Sequence, residues 1–308
     1  MSCVGLNMRR DQGGRRRAPE PGRARRRRPG FGSTLCTVAV RVLLYAPLIV
    51  ASLASLFPFW YMIVLATKDR AHIFAVPPPM WFGDSFMQNY GSLLAQIPFW
   101  RNMWNSVYIA LVGTSVSLFF CALGGFAFAM YRFRGREALF RAMLGTVMVP
   151  GWVMIIPTFI LMKRLGWYNT PRALWVPGLA NAMGIFMMRQ YIASAVPPEL
   201  MDSARIDGCG EFGIFWRIVI PLIRPALGAH GLMSFTAQWN AFVMPLVMLH
   251  DRSTYTLPVA LRSMQGIASV DYGAVMAGSV ISTLPVAIVF AAMSKQFIAG
   301  LTRGATKG

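Results

Sequence analysis

Long stretches without a charged side chain dominate this sequence, and they constrain the fold more than any motif does. Val42–Ala66, Asn102–Tyr131, Ala142–Met162, Pro225–His250 and Tyr272–Ser294 contain no Asp, Glu, Lys or Arg. Crossing a bilayer's hydrocarbon core takes roughly 20 apolar residues in a helix, and a helix satisfies its own backbone where no water can. Each run is therefore read as a span. A sixth, Ala173–Met188, is shorter, but Arg172 and Arg189 at its ends can reach the headgroups. Composition agrees: 56% of residues are hydrophobic and only 13% charged, against about a quarter charged in soluble domains. The expected fold class is all-α: a polytopic membrane protein with six transmembrane helices.

The formal net charge of +19 comes largely from the N-terminus, where ten arginines fall within the first 28 residues. That tail has no aromatic interleaving and leads straight into a span, so it reads as a disordered cytoplasmic anchor beside anionic lipid rather than a nucleic-acid arm. With six spans both termini share a side. The tail, the Arg132–Arg141 loop, the Arg189–Arg224 loop and the C-terminus then hold 22 of the 30 Lys and Arg residues. Positive charge stays inside, so this side is cytoplasmic. The expected domains are the tail, 1–34, and a six-helix transmembrane domain, 35–308. Outside, Lys68–Met103 is expected to lie along the outer interface. Cys3, Cys36, Cys121 and Cys209 have no disulfide or metal spacing and are expected to be free thiols.

The five clear spans lack the ionisable groups that ion-driven carriers use for coupling. His230, near a cytoplasmic boundary, reads as a packed, hydrogen-bonded residue rather than a relay. No paired carboxylates, metal spacing or G-x-S-x-G elbow points to catalysis, and "GLTRGATKG" lacks the phosphate-loop spacing. No catalytic, cofactor or metal residues are therefore assigned, and energy for active transport has to come from another subunit. Gln238, Trp239 and Asn240, mid-span in "FTAQWNAFVMP", and Asn181 in the fourth span are candidates for a substrate pathway. Amides beside an aromatic ring suit a sugar, although interhelical hydrogen bonding is an equal reading. Pro150, Pro157, Pro177, Pro245 and Pro285 are expected to interrupt four spans, as in cavity-lining helices.

The polar stretch "ELMDSARIDGCGEFGIFWRIVIPLIRP", Glu199–Pro225, stands apart. Pro197 and Pro198 end the preceding helix and open the next. Glu199 and Asp202 lie near its positive end, and Leu200 and Ala204 share a face. Gly208 and Gly210 stop this helix after about two turns. A second begins near Glu211, with Phe212, Phe215, Trp216 and Val219 on one stripe, and Pro221 and Pro225 close it. The pattern predicts a two-helix cytoplasmic elbow over about 197–221, between the fourth and fifth spans. Its first helix is small-faced at Ser203–Ala204, open to a partner's groove.

At these residues the chain resembles the integral-membrane permease subunits of binding-protein-dependent ABC importers. Their loop, E-A-A-x3-G-x9-I-x-L-P, is matched by Asp202-Ser203-Ala204, Gly208 and Ile218-Val219-Ile220-Pro221 with its spacing kept. "RNMWNSVYIALVG", "FAMYRFRGRE", "PTFILMKRLGWYNT", "IFMMRQYI" and "QWNAFVMPL" are similar to the maltose-type carbohydrate branch. The resemblance implies a non-catalytic permease subunit in a bacterial plasma membrane. Its elbow, including Glu199, Asp202, Ser203, Ala204, Asp207, Gly208 and Pro221, would dock into an ATP-hydrolysing subunit. ATP and Mg would be used by that partner, expected as two ATPase subunits. A second permease would complete the pathway, and an extracytoplasmic solute-binding protein would deliver a sugar or oligosaccharide. A glycerol-phosphate-type solute is the alternative, and a channel or scaffold a weaker one.

Overall fold

The computed structural model describes residues 31–266 and 270–305, with side chains for 41, 43–266 and 270–295. The arginine-rich tail lies outside these residues, apart from 31–34, which already belong to the first helix. Every regular element among the described residues is helical. In chain order these are α1 (Phe31–Ala66), α2 (Phe86–Gln96), α3 (Phe99–Met130), α4 (Arg136–Gly145), α5 (Ile155–Arg164), α6 (Arg172–Trp175) and α7 (Ala182–Ala195). They are followed by α8 (Pro198–Ile206), α9 (Glu211–Ile214), α10 (Ile220–Leu222), α11 (Arg224–Trp239), α12 (Val243–Met248), α13 (Leu257–Ser263) and α14 (Tyr272–Ala305).

Three helical stretches are long and apolar enough to cross a membrane: Leu43–Ala66, Phe99–Met130 and Tyr272–Lys295. They coincide with the first, second and last expected spans. A fourth arises if Glu211–Leu222 and Arg224–Trp239, bent by 80°, form one span. The remaining expected spans are broken helices. Ala142–Met162 divides between α4 and α5, with a 3₁₀ turn at Thr146–Met148 and turns beyond it. Val149 before Pro150 is extended, as a residue preceding proline prefers. Ala173–Met188 divides at a 3₁₀ turn holding Pro177, and Pro225–His250 divides after Trp239. Proline alone does not decide where breaks fall. Pro157 and Pro245 lie in the first turns of α5 and α12, where their missing N–H costs nothing. Pro285, expected to interrupt its span, lies inside α14, which runs on through it.

The chain forms two units, divided after Leu56. In the first, the stretch of α1 up to Leu56 carries exposed Leu44, Leu48, Ile49 and Leu53. The second is organised around α3, which packs on α7 and α11, while α14 packs on α11 and α2. One buried cluster joins α3, α7, the elbow and the start of α11 through Phe126, Met188, Ile192, Met201, Phe215 and Ile223. Another joins α2, α3, α11, α13 and α14 through Leu93, Phe99, Phe235, Leu257 and Val275. The segment expected to lie flat at the outer interface contains α2. Asn89 within it donates to the Ala66 and Lys68 carbonyls at 2.9 and 2.8 Å.

His230 is buried on α11, but neither ring nitrogen has a hydrogen-bond partner. The expected packed residue is present without the expected bonds. Cys121 is a buried free thiol and Cys209 a half-buried one. Cys3 and the Cys36 side chain lie outside the described residues.

Candidate functional site

After α7, Val196 and Pro197 adopt extended backbone, and Pro198 takes the first position of α8. The helix stops where the glycine predicts. Gly208 N–H donates to the Arg205 carbonyl at 3.0 Å, and Cys209 N–H donates to Ala204 at 2.9 Å. This pair of bonds is a Schellman stop, which requires a left-handed residue. Gly208 supplies it at φ +80°. Gly210 is extended and leads into α9 at Glu211.

The elbow's buried faces differ from those the periodicity suggested. In α8, Met201 and Ala204 are buried against Ile214 and Phe215, whereas Leu200 is 41% exposed. Ala204 therefore faces its own bundle and is not open to a partner. The outward side carries Glu199, Asp202, Ser203 and Ile206, the last 87% exposed. Ser203 Oγ donates to the Glu199 carbonyl at 2.9 Å. Asp207 and Gly208 are also exposed, and Pro221 is half-buried.

In the second limb the chain widens into a π-helical turn over Phe215–Val219. Pro221 has no N–H for the Arg217 carbonyl four residues back, and the wider turn shifts the register. Ile214, Phe215 and Val219 are buried, while Phe212 and Trp216 of the expected stripe remain exposed. Trp216 nevertheless stacks on Phe119 of α3, with ring centroids 6.1 Å apart.

Arg205 joins the two limbs. Its Nε donates to Glu211 Oε1 at 2.8 Å and its Nη1 to Asp202 Oδ1 at 3.0 Å. The Tyr131 hydroxyl, just beyond α3, donates to Glu211 Oε2. Arg205 foremost, and Tyr131 after it, hold the Glu211 carboxyl below its ordinary value of 4.5. A depressed carboxylate stabilises the fold above its unfolded pKa, and that contribution fades as pH falls through the folded value. The thermal-midpoint difference between the wild type and Glu211→Gln in detergent should therefore persist at pH 4.5 and vanish only at lower pH. Its loss by pH 6 would contradict the pairing.

The pathway candidates do not form one constellation. Trp239 is 5% exposed and stacks on Phe235 at 5.9 Å. Asn240, exposed at the end of α11, shares with it a cavity of about 420 Å³. Arg262, Gln265, Ser279 and Ser282 also line this cavity. None of these four carried a recognisable signal in the sequence. Gln238 turns elsewhere, toward Gly113 and Gly178. Asn181 caps α7: its Oδ1 accepts from Gly184 N–H at 2.6 Å, and its Nδ2 reaches Ser117 Oγ at 3.4 Å.

Because Trp239 is core as well as cavity wall, Trp239→Ala is expected to cost about 3–5 kcal/mol of stability. Thermal unfolding of Trp239→Ala beside Asn240→Ala, expected near wild type, checks this.

Residues 120–302 match the family described as binding-protein-dependent transport system inner membrane component, more than half of the chain. The chain belongs to this family. The lactose transport system permease protein LacG of Rhizobium radiobacter is 37% identical over 257 residues, 83% of this chain and 93% of that protein. The arabinooligosaccharides transport system permease protein AraQ of Bacillus subtilis is 36% identical over 265 residues, 83% of this chain and 92% of that protein. The trehalose/maltose transport system permease protein MalG of Thermococcus litoralis is 32% identical, covering 88% of this chain and 98% of that protein. The family's fold extends to a crystal structure of a bacterial ABC transporter involved in the import of the acidic polysaccharide alginate. The TM-score is 0.74 at 24% identity, over 87% of this chain and 98% of that one, a likeness of fold. As a member of the family, the chain is a membrane component of an ABC transport system.

Proposed function

We propose that this chain is one membrane half of an ATP-driven importer for a sugar or oligosaccharide. A solute-binding protein delivers the solute, a second permease completes the pathway, and two ATPase subunits consume ATP with Mg. The chain itself is non-catalytic and crosses the membrane six times with both termini in the cytoplasm. Its three long apolar helices and three broken apolar stretches support that count. The observation that carries the reading is the elbow. Its compact two-limbed form, with Glu199, Asp202, Ser203, Asp207 and Gly208 exposed, suits docking into an ATPase cleft.

The relatives' names, for lactose, arabinooligosaccharides and trehalose/maltose, favour a neutral saccharide. Trp239 and Asn240 in one cavity wall are consistent with it. Arg262 in the same wall favours a second reading, a solute with an acidic group such as a glycerol-phosphate-type compound.

Affinity purification of the tagged chain from gently solubilised native membranes, followed by mass spectrometry, tests the assembly. An ABC ATPase, a second permease and a solute-binding protein should co-purify, and ATPase recovery should depend on Asp202 and Gly208. A chain recovered alone, with no elbow-dependent complex on adding the ATPase, would overturn the proposal.

A further inference from the structure

Four of the five ion pairs among the described residues lie in one network at the elbow and the neighbouring helix ends. It begins on α8 with Asp202 and Arg205 and crosses to Glu211 at the start of α9. Glu211 accepts from the Tyr131 hydroxyl at the end of α3. The Tyr131 backbone carbonyl in turn accepts from Arg136 Nη1 at 3.2 Å. Arg136 pairs with Glu137 at 2.8 Å, and Glu137 lies 3.6 Å from Arg189 on α7. The Arg189 guanidinium covers the Phe140 ring of α4 at 4.1 Å, closing the path between α4 and α7.

We propose that this network is a strut: Arg205 and Glu211 lock the elbow's two limbs into one lever, and Tyr131 joins that lever to α3 and, through Arg136 and Glu137, to α4 and α7. The proposal rests on the reading of the elbow as the ATPase contact. It adds which residues carry the movement onward, and none of them needs to touch the ATPase or the solute.

Two observations favour transmission over simple stabilisation. Solvent-exposed pairs contribute little to stability singly, and Arg205, Asp202, Glu211 and Glu137 are all substantially exposed. Three of the contacts also join different elements: Arg205 with Glu211, Glu137 with Arg189, and Tyr131 with Glu211, the last two residues being 80 positions apart. A guanidinium fork reaches two carboxylates at once, which a lysine ammonium on its flexible stem does not reproduce.

The test uses the complete transporter reconstituted in liposomes, with Tyr131→Phe, Arg205→Lys and Glu211→Gln, all close in size to the native residues. Each variant is expected to assemble with the ATPase and to hydrolyse ATP. Solute moved per ATP should fall about five- to tenfold, the scale of a typical coupling between sites. Tyr131→Phe and Arg205→Lys combined should fall little further than either alone, because both break one strut.

A wild-type transport-to-hydrolysis ratio in all three variants would overturn the strut, as would full additivity of the pair. Loss of assembly confined to Arg205→Lys and Glu211→Gln, with Tyr131→Phe fully coupled, would also overturn it by reducing the network to local folding of the elbow. The underlying reading fails separately, through Asp202→Ala and Gly208→Glu variants that still recruit the ATPase normally.

Discussion

Replacing Gly208 by glutamate is expected to abolish solute uptake while leaving the chain in the membrane. Gly208 sits at φ +80°, where a side chain is strained by about 1–2 kcal/mol. A Cβ there meets nothing within 4 Å, so the substitution causes no clash within the chain. The strain weakens the Schellman stop. The new carboxylate also projects from the exposed tip, beside Asp207, into the proposed ATPase contact. Both effects act on docking more than on folding. Gly208→Asn, which tolerates the left-handed region, should retain most uptake, with Gly208→Ala between. Uptake in vesicles, measured beside ATPase recovery from the same membranes, checks the series. Wild-type uptake by Gly208→Glu would remove this loop from the coupling machinery.

A second large effect is expected at Gly125, for the opposite physical reason. A Cβ there would lie 2.5 Å from the Met188 Cβ and 2.8 Å from the Arg189 backbone nitrogen. The α3 and α7 backbones approach so closely that only glycine fits, as small residues allow at helix contacts within membranes. Gly125→Ala should cost about 1–3 kcal/mol by overpacking, and Gly125→Leu should prevent stable accumulation of the chain. Gly124 provides the control. The nearest atoms to a Cβ there belong to the Ile185 side chain, at 3.2 Å and beyond, with no backbone among them, so Gly124→Ala should cost clearly less than Gly125→Ala. Thermal unfolding in detergent and membrane abundance distinguish the two positions. Equal effects at Gly124 and Gly125 would contradict the α3–α7 contact.

The elbow was legible because its signals are local. Prolines at 197 and 198 place the entry to α8, and glycines at 208 and 210 separate the limbs, each through backbone chemistry spanning a few residues. Its buried faces were not legible. Which side of the nine-residue α8 is covered depends on what packs against it, and Met201 rather than Leu200 is buried in the cluster that holds Ile214. Phe212 and Trp216 of the expected stripe stay exposed, while Ile214, Phe215 and Val219 take the buried side. In the pathway, the motif around Trp239 and Asn240 pointed to one cavity, but Arg262, Gln265, Ser279 and Ser282 reach it only through the packing of α13 and α14. Asn181, a pathway candidate by its chemistry, is committed to capping α7.

By itself, the sequence determined that this chain is helical, is built for a membrane, and carries a two-limbed polar elbow. Apolar run length, the distribution of arginines, and proline and glycine chemistry act over short stretches and survive any packing arrangement. Tertiary structure alone decided that Gly125 is a point of backbone contact, that Ala204 faces inward, and that Tyr131 meets Glu211 across 80 residues of chain. Such contacts depend on where whole helices come to rest, a position set by the summed packing of many side chains rather than by the spacing of any few.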